Sequence, residues 1–533
     1  MTYFQRLRIF RKAAAGCLLL LSLRLLFLFG NRTYAKHAAA QTVRQVRLFS
    51  DRGPIRDRSG NLLTDRVWEY CYFLDPGQAD RDELLRSGIP FSRQELEESE
   101  RTGKPVIVRS PVAFPACRGV SVYRHARRYE DSQPASQLIG YLNEDGHGVS
   151  GLEARFDELL FHGGPAASVT YAVNAAGGIR MGSTPLFKET GAETGLTLTL
   201  DRALQEKAEQ CLRGHDITGC ILVADTETGG LLAMASSPAF SPAHPEMSVA
   251  RPDSPFLNRT LGAYDAGSIF KIITTAAALE AGRTSQSPGW CGGYYDTGCR
   301  RIACANPYGH GKETLEEAFK ESCNPYFCAL AVSLGGTRML ETAKRFGLGR
   351  YTELCPGFCG ASGSLPSARS LNDRTALALF GFGQGNLQVT PLQMLNVVSI
   401  VANGGVSVPL HIIRSVQKPD GTSARPDLPA GVRVIEPKTA RVLTDLMAAA
   451  VKDGSGFMAE SDHFDVCGKT GTAETGWISG GGPMVHGWFV GFFPAEHPRY
   501  SAVVFCENGK SGAMTAAPLF REIAEWIWAR EGK

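Results

Sequence analysis

A serine hydroxyl becomes a nucleophile only when a base takes its proton. A lysine three residues further along a helix shares the serine's face and can be that base. This Ser-x-x-Lys spacing occurs at Ser268–Lys271 and at Ser415–Lys418. Ser268 leads into IITTAAALEAG, a helical run closed by Gly282. It therefore stands at a helix start, where unpaired N–H groups and the dipole favour developing negative charge. Ser415 ends the apolar stretch HIIRS and runs into Pro419-Asp420-Gly421, a turn, so it reads as structural. Two companion patterns are degenerate singly: Ser-x-Asn at Ser59, Ser322 and Ser370, and Lys-[Thr/Ser]-Gly at Lys469 and Lys510. Their order carries the information. The serine–lysine helix start is followed by Ser322-Cys323-Asn324 and then by Lys469-Thr470-Gly471-Thr472, a set that points to covalent catalysis by serine. Neither HExxH nor G-x-S-x-G is present, and the two GK[ST] triplets lack the glycine of a phosphate loop, with His463 and Val504 in its place.

The elements that must position these residues follow from the pattern. Leu196 to Asp201 alternates as a strand, and RALQEKAEQCL continues as a helix. CILVADTETGGLLAMAS reads as two strands about Thr228-Gly229-Gly230. GWFVGFFP (from Gly487) and YSAVVFCENG (from Tyr500) are apolar strands, and APLFREIAEWIWAREG is an amphipathic closing helix. Strands at both ends with helices between predict an α+β domain, a sheet flanked by helices, over residues 195–533. Residues 31–194 are rich in charge and turns and read as a non-catalytic module. Within it, Arg52 to Leu63 reads as strand, turn, strand, and Glu95 to Arg101 as a surface helix.

With 533 residues, 43% hydrophobic and 20% charged, the chain has room for more than one core. Its formal net charge of +3 leaves no basic footprint for nucleic acid. One long apolar run, Ala13 to Gly30, follows Arg6, Arg8, Arg11 and Lys12. It predicts a transmembrane anchor over 13–30 behind a cytoplasmic tail, 1–12, with Arg24 able to snorkel. Arg32, Lys36, Arg44 and Arg47 follow, so charge alone does not orient it. Ala38 to Ala40 offers a cleavage site, but far from the apolar run, which favours an uncleaved anchor.

The ordered motifs resemble those of the class B penicillin-binding proteins, membrane-anchored D,D-transpeptidases that crosslink peptidoglycan. RGPIRDRSGNLL, Arg128-Tyr129, Leu138-Ile139-Gly140 and Gly148 to Glu153 resemble the family's pedestal motifs. Asn258-Arg259, Gly383-Gln384-Gly385, Thr390-Pro391 with Gln393, Ala402 to Gly405, Gly468 to Glu474 and Gly487 to Gly491 resemble its transpeptidase domain. Asp265-Ala266 departs from the family's prolines but removes no reactive group. The resemblance implies an antiparallel sheet flanked by helices, preceded by a β-containing pedestal and one transmembrane helix, with the catalytic domain outside the cytoplasm.

It also implies roles. Ser268 attacks the carbonyl of a D-Ala-D-Ala stem peptide. Lys271 takes the proton, directly or through Ser322. Asn324 holds Lys271 and the substrate amide. Lys469, Thr470 and Thr472 bind the terminal carboxylate, and that of β-lactams. Gly471 leaves space for the substrate backbone. The N–H groups of Ser268 and Thr472 form the oxyanion hole. A direct base must titrate far below the ~10.4 of a free lysine, through burial and the neighbouring Lys469. No cofactor is expected. The partners implied are stem peptides and their lipid-linked precursor, β-lactam antibiotics, the membrane and a polytopic glycan polymerase.

A β-lactamase shares the nucleophile, but Ala368 stands where the deacylating glutamate of E-x-x-L-N would be. A class A penicillin-binding protein would carry an E-D-x-x-F glycosyltransferase motif, absent here. The other alternative is a non-catalytic scaffold of the division or elongation machinery. Cys291, Cys299, Cys304, His310 and Cys323 cluster between the first two motifs. A Cys3His zinc site, a disulfide with free thiols, and reduced thiols all fit. The irregular spacing, without C-x-x-C, favours the last two, so no metal ligand is predicted.

Overall fold

The computed structural model describes residues 2–30, 42–161, 163–174, 177–479 and 482–532. They form two compact units. The first comprises Met1–Arg52, Val67–Arg127 and Gly164–Ala192. It holds α1 (Tyr3–Gly30), β1 (Val43–Ser50), β2 (Val67–Leu74), β3 (Val106–Ser110), β4 (Val120–Arg127), β5 (Ala166–Ala172) and β6 (Leu186–Thr190). Two antiparallel sheets, β1-β5-β6 and β3-β2-β4, close on Leu48, Phe49, Cys71, Phe73, Val169 and Tyr171. The charged surface helix is present as Arg93–Thr102, started by a reciprocal Ser92–Glu95 capping box.

The predicted anchor needs correction. α1 forms, and its described side chains are exposed. However, among the described residues no helix is long and apolar enough to cross a membrane. Arg24 interrupts its apolar part, and such a charge costs about 2.5–3.5 kcal/mol at a bilayer centre. Arg32, Lys36 and Ala38 to Ala40 lie outside the described residues.

The second unit comprises Gly53–Arg66, Arg128–Gly163 and Glu193–Lys533. The boundary drawn between residues 194 and 195 is thus crossed by two earlier segments. Ile55–Arg56 pairs in parallel with Gly195–Leu198, which pairs antiparallel with Ile413–Gln417, the strand that carries Ser415. Three of the pedestal-like fragments converge here. The Arg128 guanidinium donates to Glu153 Oε1 and Asp65 Oδ2, both at 2.7 Å, and the Tyr129 hydroxyl donates to Glu153 at 3.0 Å. Leu138, Ile139, Leu152 and Leu160 join the same core as Leu196 and Leu198.

The later part of this unit runs α2 (Arg202–Gly214), β7 (Gly219–Asp225), β8 (Leu231–Ser237), α3 (Lys271–Glu280), α4 (Leu315–Lys320), α5 (Asn324–Leu334), α6 (Pro391–Ala402), α7 (Pro437–Lys452), β9 (Cys467–Ser479), β10 (Gly482–Phe493), β11 (Tyr500–Cys506) and α8 (Ala517–Arg530). The sheet order is β8-β7-β11-β10-β9, antiparallel throughout, as the resemblance implies. Both faces are covered, which explains why β7 and β11 read as unbroken apolar runs. Ile221, Val223, Phe489 and Val504 pack against α2 and α8, while Cys220, Leu222, Trp488, Val490 and Phe505 share the core with α3 and α6. α3 is buried from Lys271 to Leu279. β9 forms one edge of the sheet.

Candidate active site

Ser268 lies in a single 3-10 turn, Gly267–Phe270, that opens α3. Gly267 has φ +57°, and a Cβ there would stand 2.7 Å from the Thr472 carbonyl oxygen. Glycine thus lets the serine turn press on the backbone of β9. From the other side, Gly267 N–H donates to the Gly383 carbonyl at 2.9 Å. Asp265 and Ala266, which replace the family's prolines, sit in a held segment. Asp265 pairs with Gln388, and its carbonyl accepts the Trp488 indole N–H at 3.0 Å. Ser268 remains half-buried and reachable.

The sequence motifs for the nucleophile and its neighbours meet at one nitrogen. Lys271 Nζ lies 3.0 Å from Ser268 Oγ, 2.6 Å from the Ser322 carbonyl, 3.1 Å from Ser322 Oγ and 2.8 Å from Asn324 Oδ1. The Ser322 carbonyl and the Asn324 oxygen can only accept. A neutral amine has two N–H groups for these two and a lone pair for a hydroxyl proton, so the arrangement suits the unprotonated lysine. Burial pulls Lys271 down to about 8, and the surrounding thiols and Glu313 oppose this. Ser322 is held at φ +58°, a left-handed conformation that costs a non-glycine residue roughly 1–3 kcal/mol. The turn between α4 and α5 enforces it, with Ser322 N–H donating to Phe319 O and Cys323 N–H to Ala318 O.

Lys469 is also fully buried, but its closest partners are long: the Thr470 carbonyl at 3.4 Å and Ser455 Oγ at 3.5 Å. Burial lowers its pKa first and the Lys271 charge second. The lysine whose titration feels its fellow ammonium is therefore Lys469, where the sequence argument assigned that role to Lys271. Thr470 is buried, with its hydroxyl 3.0 Å from Ser455, and Thr472 is exposed, its hydroxyl accepting from Gly512 N–H at 3.3 Å. Gly471 differs from expectation. A Cβ there would meet Ile269 Cγ2 at 2.9 Å and the Ala266 carbonyl at 3.2 Å. Its missing side chain makes room for the serine turn beneath the strand.

Ser455 was missed by sequence reasoning. It sits in the Asp453-Gly454-Ser455-Gly456 turn after α7, whose Ser455 N–H donates to the Lys320 carbonyl at 3.1 Å. A glycine-flanked serine after a helix is the signal that could have found it.

Among the described residues, two sets of donors lie close enough to share a cation: Cys291, Cys304, His310 and Cys323, and Cys211, His215 and Glu522. In the second set Glu522 is already engaged, by Lys207 at 2.7 Å and His215 at 3.0 Å.

Residues 219–525 match the penicillin binding protein transpeptidase domain. Penicillin-binding protein PbpB of Mycolicibacterium smegmatis is 32% identical over 451 residues, 76% of this chain and 65% of that protein. Stage V sporulation protein D of Bacillus subtilis is 30% identical over 509 residues, 89% of this chain and 77% of that protein. The chain thus spans just under two thirds of the PbpB length. Among solved structures, the D,D-transpeptidase domain of a peptidoglycan glycosyltransferase from Eggerthella lenta has a TM-score of 0.67 at 24% identity, covering 91% of this chain and 99% of that one. Penicillin-binding protein 3 of Mycobacterium tuberculosis, complexed with aztreonam, has a TM-score of 0.66 at 24% identity, covering 92% and 97%. With a matched domain over more than half its length and these relatives, the chain belongs to the penicillin-binding protein transpeptidases, among the class B members.

Proposed function

We propose that this protein is a peptidoglycan D,D-transpeptidase working through a serine acyl-enzyme. The observation that carries the reading is the convergence of Ser268 Oγ, Ser322 Oγ and Asn324 Oδ1 on a buried Lys271 Nζ. Ser268 Oγ attacks the penultimate D-alanine carbonyl as its proton passes to Lys271. The tetrahedral oxyanion is stabilised by the N–H groups of Ser268 and Thr472, a hole whose individual donors contribute about 3–4 kcal/mol. The amide bond breaks, and the departing D-alanine nitrogen takes its proton back through Ser322. An acceptor stem-peptide amine then attacks the ester and releases Ser268.

Lys469, with Thr470 and Thr472, binds the substrate carboxylate. Its Nζ has no short partner among the described residues and so has donors to spare. β9, as an edge strand, supplies backbone groups for an extended peptide. β-Lactams take the same route and stop at the acyl-enzyme; the M. tuberculosis relative is described in complex with aztreonam. The catalytic unit works on the extracytoplasmic side on lipid-linked precursor and nascent wall, and a polytopic glycan polymerase is the partner. The first unit, with Val67–Arg127 and Gly164–Ala192, serves as the pedestal, and the second as the transpeptidase unit.

The test is peptide mapping after incubation with labelled penicillin. A slowly hydrolysed adduct on the Ser268 peptide is expected. Rapid turnover of the adduct would assign the site to β-lactam hydrolysis, and no adduct on folded protein would leave a scaffold.

A further inference from the structure

We propose that Arg58, Arg414 and Arg425 line a second ligand site in the catalytic unit, one that binds a phosphate or diphosphate ester. The site is a cavity of about 340 Å³, the size of a small-molecule pocket. It lies away from Ser268. Thr472 pairs with Gly487, Gly487 with Cys506 and Cys506 with Gly219, so the row of the central sheet that carries the active-site strand ends at the start of β7. The cavity opens at the other end of β7, beside Asp225. At about 3.3 Å per residue, the length of β7 separates the two by about 20 Å.

Two β-bulges, in two different sheets, shape the cavity. In the strand Ile413–Gln417, Ile413 pairs with Leu198 and Ser415 with Thr197, so Arg414 is an extra residue with nothing opposite it. In β8, Leu231 pairs with Ala224 and Ala233 with Val223, which leaves Leu232 as the extra residue. Both extra residues line the cavity. A bulge interrupts a ladder and re-aims a side chain, and bulges are over-represented next to active sites for that reason. The Arg414 guanidinium, so turned, donates to the Arg58 carbonyl. This holds it against the turn that carries Arg58, itself fixed by Asp57 Oδ1, which accepts from Ser59 N–H and Asn61 N–H, both at 2.8 Å. Arg425 comes from a hairpin. Val416 pairs with Ala424, so the next residue, Arg425, falls beside Ser415 and Arg414.

The charges name the ligand. Three guanidiniums on one small cavity repel one another, and among the described residues none of them has an ion pair. The acid that lines the cavity, Asp225, is turned to its own loop: its Oδ1 accepts the Thr228 N–H at 2.8 Å and the Thr228 hydroxyl at 2.7 Å. With Asp225 counted, two positive charges are left, which matches a dianion better than a single carboxylate. Guanidinium forks bind phosphate oxygens in pairs. The same cavity has an apolar wall, Leu232 and Ile413, each 4% exposed. That wall takes the carbon attached to a phosphate and so selects an ester over the inorganic ion.

The full chain in detergent micelles should bind geranyl diphosphate in calorimetry, and bind both inorganic pyrophosphate and the dicarboxylate succinate about tenfold or more weakly. Arg414→Gln and Arg425→Gln should each weaken geranyl diphosphate binding about tenfold or more, as for lost charged hydrogen bonds, while Arg441→Gln, an exposed arginine on α7, leaves it unchanged. Penicillin labelling of Ser268 should survive in both cavity variants, since the site is separate from the catalytic one. A substitution at a bulge can unfold its strand, so the unmutated chain is also treated with phenylglyoxal. Geranyl diphosphate should slow modification of Arg414 and Arg425 in the peptide map and leave Arg441 unprotected. Equal modification with and without the diphosphate, or affinity unmoved by both cavity substitutions, would overturn the site. Equal affinity for succinate would overturn the phosphate assignment, and equal affinity for pyrophosphate the ester. A long-chain polyprenyl diphosphate that displaces geranyl diphosphate from the micelle-bound chain assigns the site to lipid-borne esters; failure to displace it assigns the site to soluble ones. None of these readouts depends on the transpeptidase reading.

Discussion

Two lysines lie fully buried in the catalytic unit, and their surroundings differ. Lys271 has four oxygens within 3.1 Å, all from the protein. Lys469 has two, at 3.4 and 3.5 Å, and the Phe319 ring 5.7 Å away. A buried amine with its hydrogen bonds complete belongs to the machinery; one with donors left over is waiting for a ligand. On the proposed function, the contrast fits proton transfer at the first and anion binding at the second, and it yields experiments that can break it.

The largest effect should come from removing the nucleophile: Ser268→Ala should abolish covalent penicillin labelling, read by gel fluorescence or intact mass. Lys271→Ala should retain folding and slow acylation by about 10²–10⁴-fold, the usual contribution of a positioned base. Stopped-flow acylation should place the loss in the bond-forming step. Lys469→Ala should cost less, about 10–10²-fold, as for a charged hydrogen bond of about 1.5–3 kcal/mol. Here the loss should appear in the concentration dependence, as weaker capture of the carboxylate. Equal losses in the same parameter for both lysines would dissolve the distinction. Next comes pH. If neutral Lys271 is the base, acylation should rise tenfold per pH unit and level off above about 8. A flat profile through that range would assign the proton to a relay through Ser322. The smallest effect should be Ser455→Ala, about 2–10-fold for a neutral hydrogen bond, in the same direction as Lys469→Ala.

Much of this site is legible in the sequence, because the key spacing is local. A three-residue step, through the serine turn into α3, fixes Ser268 against Lys271, and Ser322 and Asn324 flank one residue. Ser455 and the thiol cluster are not, because distant turns and hairpin registers bring them together. Gly471 shows a different failure. The sequence says that a side chain must be missing there, and only packing says which side is crowded: Ile269 and Ala266, under the strand. In the fold, the apolar runs of β7, β10 and β11 are readable as strands. The assignment of Gly53–Arg66 and Arg128–Gly163 to the catalytic unit is not, since it depends on Arg128 meeting Asp65 and Glu153. The apolar run at the N-terminus is readable as a helix, and Arg24 within it is what sequence reasoning discounted.

The order of the central sheet has a consequence for biosynthesis. β7 pairs with β8 immediately after it in the chain, but its other neighbour is β11, made well over two hundred residues later. At about 5–20 residues per second, a ribosome leaves that apolar strand edge uncovered for on the order of ten seconds or more. An open edge of this kind recruits other strands. A nascent chain of this protein must therefore be shielded by a chaperone or kept from collapsing until residues 500–506 emerge, and aggregation during expression should originate from the β7–β8 hairpin.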